Sequence, residues 1–293
     1  MKPRRPAIPR VTSPAPRAVT RAVSDRNDGE LPFPVLLRTR HFIVIDKPPG
    51  LPAHAGRAGG PSVEDAFALM SRHRNGPWLA HRLDRDTSGC LLVALRKQAL
   101  IAAQECFASG RTTKVYWAIT HGHPTAGHGV VDAPLLRRAE RGQWRMEITP
   151  DGQDARTAWR CLARGHMPDG SPASWLELRL ETGRTHQARV HCAALGCPVM
   201  GDGQYGRADG KSLHLMSREL YLPLDPPIHA IAPPPAHMCL TARQAGWTLA
   251  CPPAITHAVT RAHITEPPAA MALRDNAPTH AQHPGHDVPA TTP

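Results

Sequence analysis

His81-Arg82-Leu83-Asp84-Arg85-Asp86-Thr87-Ser88-Gly89 is the stretch on which the reading of this chain turns. Nine residues carry two carboxylates, two guanidiniums, an imidazole and two hydroxyls. They end on a glycine and run into Cys90-Leu91-Leu92-Val93-Ala94-Leu95, which has the length and bulk of a buried strand. A polar loop that feeds a buried strand is a common place for chemistry, because a rigid scaffold then holds the reactive groups. The alternative is a salt-bridged surface turn in which Asp86, Thr87 and Ser88 bond their own backbone.

Upstream, Phe42 to Ile45 reads as a strand stopped by Pro48-Pro49-Gly50. Lys47 then falls at a strand end, where a solvated lysine is expected. Ser62 and Asp65 form a variant capping box for a helix with Val63, Ala66, Phe67 and Met70 on its core face, ending before Asn75-Gly76-Pro77. A second helix is expected over Lys97 to Ser109, capped by Gly110. Thr113 to Thr120 alternates as a strand, with Val115, Trp117 and Ile119 on the better core face. Lys114 and Tyr116 share its other face. Residues 121–180 read mainly as β, with Trp144, Met146 and Ile148 alternating, and Leu176, Leu178 and Leu180 likewise. A helix follows from about Thr185 to Leu195, closed by Gly196 and Pro198. Arg184 sits beside its N-terminus, where the dipole disfavours a cation, so a carboxylate or phosphate is expected nearby.

The formal charge of +11 points towards a polyanionic partner. Residues 1–26 hold seven Lys or Arg and one acid, a net of +6, and the body carries the remaining +5. Residues 1–30 read as a Pro/Arg-rich disordered arm, with either no role or a non-specific contact to phosphates. Residues 251–293 read as a Pro/Ala/His-rich disordered tail. Between them, 31–250 is expected to form one catalytic domain. Seven cysteines, an odd number with no pair two residues apart, fit free thiols in a reducing cytoplasm. No apolar run is long enough to span a membrane. His121, His123 and His128 lie in a Gly/Pro-rich turn with no Cys or acid placed with them, and in the group His186, His191, Cys192 and Cys197 the two histidines are five apart, so no metal is expected.

The chemistry left by elimination is a carboxylate, Asp84, with a candidate arginine partner and an aromatic ring. A carboxylate beside a guanidinium is ionised at neutral pH and serves as nucleophile or base, not acid. Attack on a sugar's anomeric carbon is one use of it. A glycosidase would need a second carboxyl, for which Asp86 is the nearest candidate.

Three stretches resemble the RluA-type RNA pseudouridine synthases. They are His81-Arg82-Leu83-Asp84 with Thr87-Ser88-Gly89, Phe42 to Leu51, and Thr182 to His191 continued by Gly196, Pro198, Gly201-Asp202 and Tyr205-Gly206. The resemblance covers roughly Leu36 to Trp247. It implies an α+β fold with a long mixed, largely antiparallel sheet flanked by helices and loops, and isomerisation of uridine to pseudouridine in ribosomal or transfer RNA. It further implies Asp84 as the essential carboxylate, Arg184 as its ion-pair partner, Tyr116 against the target base, and Arg82 in the space the flipped nucleotide vacates. His81 and Thr87 are expected to shape the loop. No cofactor is implied, RNA is the partner, and a monomer is expected. A non-catalytic RNA-binding or assembly protein of the same fold is the competing reading.

Overall fold

The computed structural model describes residues 31–247 apart from 57–58, 72–74 and 141. The arm expected over 1–30 and the tail expected over 251–293 lie outside the described residues. The chain opens with the hairpin β1 (Val35–Arg38) and β2 (Phe42–Lys47). A 3-10 turn, Val63–Ala66, runs into α1 (Phe67–Met70). Then come β3 (Trp78–Leu79), β4 (Ser88–Ala94), α2 (Lys97–Ala108), β5 (Thr113–His121) and β6 (His128–Asp132). They are followed by β7 (Leu135–Glu140), β8 (Gln143–Ile148), β9 (Arg156–His166) and β10 (Pro172–Leu180). The described chain finishes with α3 (Gln187–Ala194), β11 (Leu215–Leu222), β12 (Ile228–Ile231) and α4 (Ala236–Gln244). Among the described residues, no helix is long and apolar enough to cross a membrane.

Ten strands form one sheet in the order β1-β2-β4-β11-β5-β10-β9-β6, with β12 on β11 and β3 on β4. The β11–β4 pair is parallel and the other pairings in the sheet are antiparallel. β7 and β8 make a separate hairpin.

The sheet is covered on both faces. In β4, Cys90, Leu92 and Ala94 face the cluster that holds α2 and α4. Leu91, Val93 and Leu95 face a second cluster with Val63, Ala66 and Met70. All seven β4 residues are buried, which is why this segment reads as a continuous apolar run and not as an alternating one. The same two-sidedness corrects the reading of β5. Ile119 and Trp117 pack on one face, Ala118 and Tyr116 on the other, and Lys114 is itself buried. α1 is shorter than expected: its apolar stripe is used up at Met70, and Ser71 is already extended. In the β7–β8 hairpin only Met146 of the alternating set is buried, against Leu135, Ala155 and Val190. Trp144 and Ile148 stay exposed.

One cross-strand row decides where the site sits. Lys47 pairs with Gly89, Gly89 with Ser217, Ser217 with Tyr116, and Tyr116 with Leu178. The row crosses five strands and joins the end of the 81–89 loop, on β4, to Tyr116, on β5, through β11. Gly89 makes it possible: its φ is +100°, and a Cβ there would lie 2.2 Å from the Ser217 carbonyl oxygen.

Candidate active site

The 81–89 loop is held from below. Lys47 is completely buried, and its ammonium donates to the carbonyls of Pro48 (2.9 Å), Leu51 (2.8 Å) and Arg85 (2.9 Å). A solvated strand end was expected there. Instead the three N–H groups tie the Pro48–Leu51 turn to the loop. Burial pushes this amine down to about 8, against the opposing pull of Asp86, Asp84 and Asp46. At the loop's start the His81 Nε2 accepts the Leu92 amide at 3.0 Å, and the ring lies on Phe107 with centroids 5.0 Å apart. Burial, helped by Lys114, pushes this imidazole down to about 4, so it is neutral at pH 7 and keeps its acceptor. The Thr87 amide closes a turn on the Asp84 carbonyl at 3.2 Å, with Thr87 buried beneath.

The partner of Asp84 is not the arginine expected from sequence. Arg184 is exposed, and its Nε donates to the Asp154 carbonyl at 3.0 Å. Arg189 instead places Nη1 3.7 Å from Asp84 Oδ2. Its other donors form a two-pronged bond to Asp202, Nε to Oδ2 and Nη2 to Oδ1, both at 2.7 Å. The Asp202 side chain is fully buried, and its Oδ1 also accepts the amides of Gln204 and Tyr205. Arg189 therefore cannot swing away from Asp84 without abandoning Asp202.

The reason lies in where α3 begins. Gln187 spends its whole side chain on the turn before it. Its Oε1 accepts from Thr182 Oγ1 and from the Arg184 amide, and its Nε2 donates to Arg156 O and Thr157 Oγ1. Helical geometry starts only there, so Arg184 lies in the turn. Arg189, three residues beyond His186, shares that residue's face towards Asp84.

His186 is the other side chain that sequence reasoning missed. It has φ +54°, the sole non-glycine with positive φ among the described residues. Its Nε2 is 3.7 Å from Asp84 Oδ2 and its Nδ1 is 2.8 Å from the Tyr205 hydroxyl, which accepts the Met146 amide. The Tyr205 hydroxyl thus links the His186 ring to the Met146 amide. Burial pushes this imidazole down, while Asp84 pulls the other way.

Tyr116 lines the same cleft, half-buried. Burial above all, then the nearby Asp84 charge, pushes its phenol up, so it stays protonated. Arg82 and Arg85 are exposed on the rim, and Arg85 Nε donates to the Gly50 carbonyl at 3.0 Å. Trp144, reaching over from β8, stacks on His186 at 5.0 Å, and Arg137 covers it at 4.5 Å. The cleft so enclosed has a volume of about 1010 Å³. The structure thus brings Asp84, Tyr116, Arg189 and His186 together and leaves Arg184 and Arg82 at the edge.

Among the histidines weighed as metal ligands, His121, His123 and His191 have other partners. His121 faces Asp209, His123 meets Ser174 Oγ, and His191 meets Thr157 and the Ala133 carbonyl. Among the described residues, no group of three or more His, Cys, Asp or Glu is placed to hold a metal.

Residues 41–194 match the family model for RNA pseudouridylate synthase. An uncharacterized RNA pseudouridine synthase of Zymomonas mobilis is 39% identical over 216 residues, covering 69% of this chain and 96% of that protein. The ribosomal large subunit pseudouridine synthase D of Xanthomonas campestris is 40% identical over 184 residues, covering 61% of this chain and 53% of that one. The solved structure of human RNA pseudouridylate synthase domain containing 4 superposes with a TM-score of 0.61 at 26% identity, over 73% of this chain and 93% of that one. The chain belongs to the RNA pseudouridylate synthase family, and its activity is the isomerisation of uridine in RNA to pseudouridine.

Proposed function

We propose that Asp84 is the carboxylate that acts on the target nucleotide, with Arg189 as the cation that holds it. The observation that carries this is the placement of Asp84 in the cleft with Tyr116, between the Arg189 guanidinium and the His186 ring. In the reaction the bond from uracil N1 to ribose C1′ breaks. The uracil turns in the pocket and a bond forms from C5 to the same carbon. The C5 proton leaves and N1 gains one. The uracil is both leaving group and nucleophile, so no cofactor is needed. Tyr116, kept as a phenol, packs on the turning base. Arg82, on the rim, fills the gap left by the extruded nucleotide, which costs a few kcal/mol to flip and least in a loop.

The substrate is a structured RNA, ribosomal RNA first and transfer RNA second. The name of the Xanthomonas campestris relative, a ribosomal large subunit synthase, supports that order. The enzyme works in the cytoplasm.

Asp84→Asn tests the assignment. Tritium release from RNA labelled at uridine C5 should fall below detection, while RNA affinity stays within about fivefold, the equivalent of about 1 kcal/mol. Retained turnover, or equal loss of binding and turnover, would overturn it.

A further inference from the structure

We propose that Lys114 receives a phosphodiester oxygen of the RNA substrate, on a small anion seat built by Lys114 and the 182–184 turn. The proposal rests on RNA entering the cleft at Asp84. Lys114 is 9% exposed, yet its ammonium has a single acceptor among the described residues, the Thr182 carbonyl at 2.7 Å. Two of its three N–H groups are unspent. No carboxylate among the described residues lies within ion-pair distance of it.

Burying an ammonium with most of its donors idle is costly. Lys47 shows how this fold completes such a group when the role is structural: three carbonyls take all three protons, and three carboxylates lie close enough to stabilise the charge. Lys114 has the opposite surroundings. Its one charged neighbour of consequence is another cation, Arg184. Burial and that repulsion together push the amine down to about 8.

Two neighbouring cations without an acid call for an anion, and a neutral uracil carbonyl would not relieve their repulsion. The position suits a backbone phosphate. Lys114 lies two residues before Tyr116 on the same face of β5, about 7 Å along the strand. That is the reach from a base to its own sugar-phosphate. Gly183 lies beside the ammonium: a Cβ there would stand at ordinary contact distance, 3.5 Å, from the Lys114 Nζ.

Salt dependence of binding reads this contact. Affinity for a uridine-loop RNA hairpin would be measured against salt concentration for the intact protein, Lys114→Gln and Lys114→Arg. Turnover would be followed by tritium release from unmodified ribosomal RNA labelled at uridine C5. In Lys114→Gln the slope of log affinity against log salt should fall by about 0.7 to 0.9, the value of one phosphate contact. Affinity should drop about tenfold at low salt, and kcat at saturating RNA should stay within about threefold. Lys114→Arg should keep the slope. In the intact protein a single methylphosphonate linkage, placed in turn at each position around the uridine, should weaken binding to the same degree at one position and add nothing in Lys114→Gln.

An unchanged slope, or a methylphosphonate penalty that persists in Lys114→Gln, would overturn the proposal. So would loss of kcat with affinity intact, which would put Lys114 on the reacting base. Should Lys114→Gln fail to fold, a methylphosphonate penalty absent from Lys114→Arg would likewise overturn it. If RNA does not enter this cleft at all, Asp84→Asn would also keep its turnover, which separates that failure from this one.

Discussion

Lys47 and Lys114 are both buried lysines, both pushed down to about 8, on opposite sides of the strand that carries the Asp84 loop. Lys47 stands on β2, next to β4, and Lys114 on β5, beyond β11. The protein closes every bond of the first and one bond of the second. The same division runs through the rest of the site. On the closed side, Arg189 is forked onto Asp202 and His81 is bonded to β4. On the open side, Arg184 bonds one carbonyl and Arg82 lies on the rim. Under the role proposed for Asp84, a reactive carboxylate needs fixed surroundings before substrate arrives, and the groups around it are spent on the protein. A substrate contact needs donors still unspent.

The arginines offer the largest test of this division. Arg189→Met strips a fully buried carboxylate, Asp202, of its partner, and breaking such a pair costs about 3 to 5 kcal/mol. Arg184→Met removes an exposed side chain bonded to one carbonyl and should change stability by no more than about 0.5 kcal/mol. Urea unfolding of the two variants decides. Losses of similar size would erase the distinction between closed and open sides.

These two arginines also mark where the sequence stops being readable. The long segments were legible: β4 through its unbroken apolar run, α2 through its stripe, and the place of the Asp84 loop through the buried strand that it feeds. The partner was not, because it depends on which residue opens α3. The sequence places that start near Thr185. Gln187 delays it by bonding back to Thr182 and Arg184, and His186 takes a left-handed backbone that no pattern of residue types announces. Lys47 was misplaced for a related reason. A charged residue after an apolar run looks like a strand reaching water, and only the fold shows three carbonyls converging there.

A smaller effect, on the closed side, is a pH dependence through His81. Its imidazole titrates at 6.5 when free and at about 4 in the fold. Between those values the unfolded chain binds more protons than the folded one, so stability is complete above pH 6.5 and falls as pH drops towards 4. The full difference is worth about 3 kcal/mol. His81→Gln keeps an acceptor for the Leu92 amide and cannot titrate. Its unfolding free energy should lose roughly that much less between pH 6.5 and 4 than the intact protein's does. His214, also pushed down to about 4 by burial and by His237, keeps its own share in both. Parallel stability curves for the two proteins would mean that His81 is not bonded as described.

The β7–β8 hairpin lies between the two sides and should give the smallest effect. Its root is closed, with Met146 buried and the Met146 amide bonded to the Tyr205 hydroxyl. Further out it rests on rings, Trp144 stacked on His186 beneath Arg137. An aromatic pair contributes about 0.5 to 1.5 kcal/mol and an exposed cation–π contact about 0.5 to 1. Trp144→Ala should therefore release the hairpin without unfolding the domain. Amide hydrogen exchange across the β7–β8 ladder should quicken by roughly tenfold, the equivalent of about 1.4 kcal/mol, while exchange in β4 is unchanged. Trp144→Phe should restore most of the protection. Because His186 also faces Asp84, a hairpin that loosens with no change in turnover would make the stack a hinge for RNA entry. A fall in kcat that tracks the exchange would extend the closed side out to Trp144. Unchanged exchange would mean that the buried root alone holds the hairpin, and the rings would then belong with the open side.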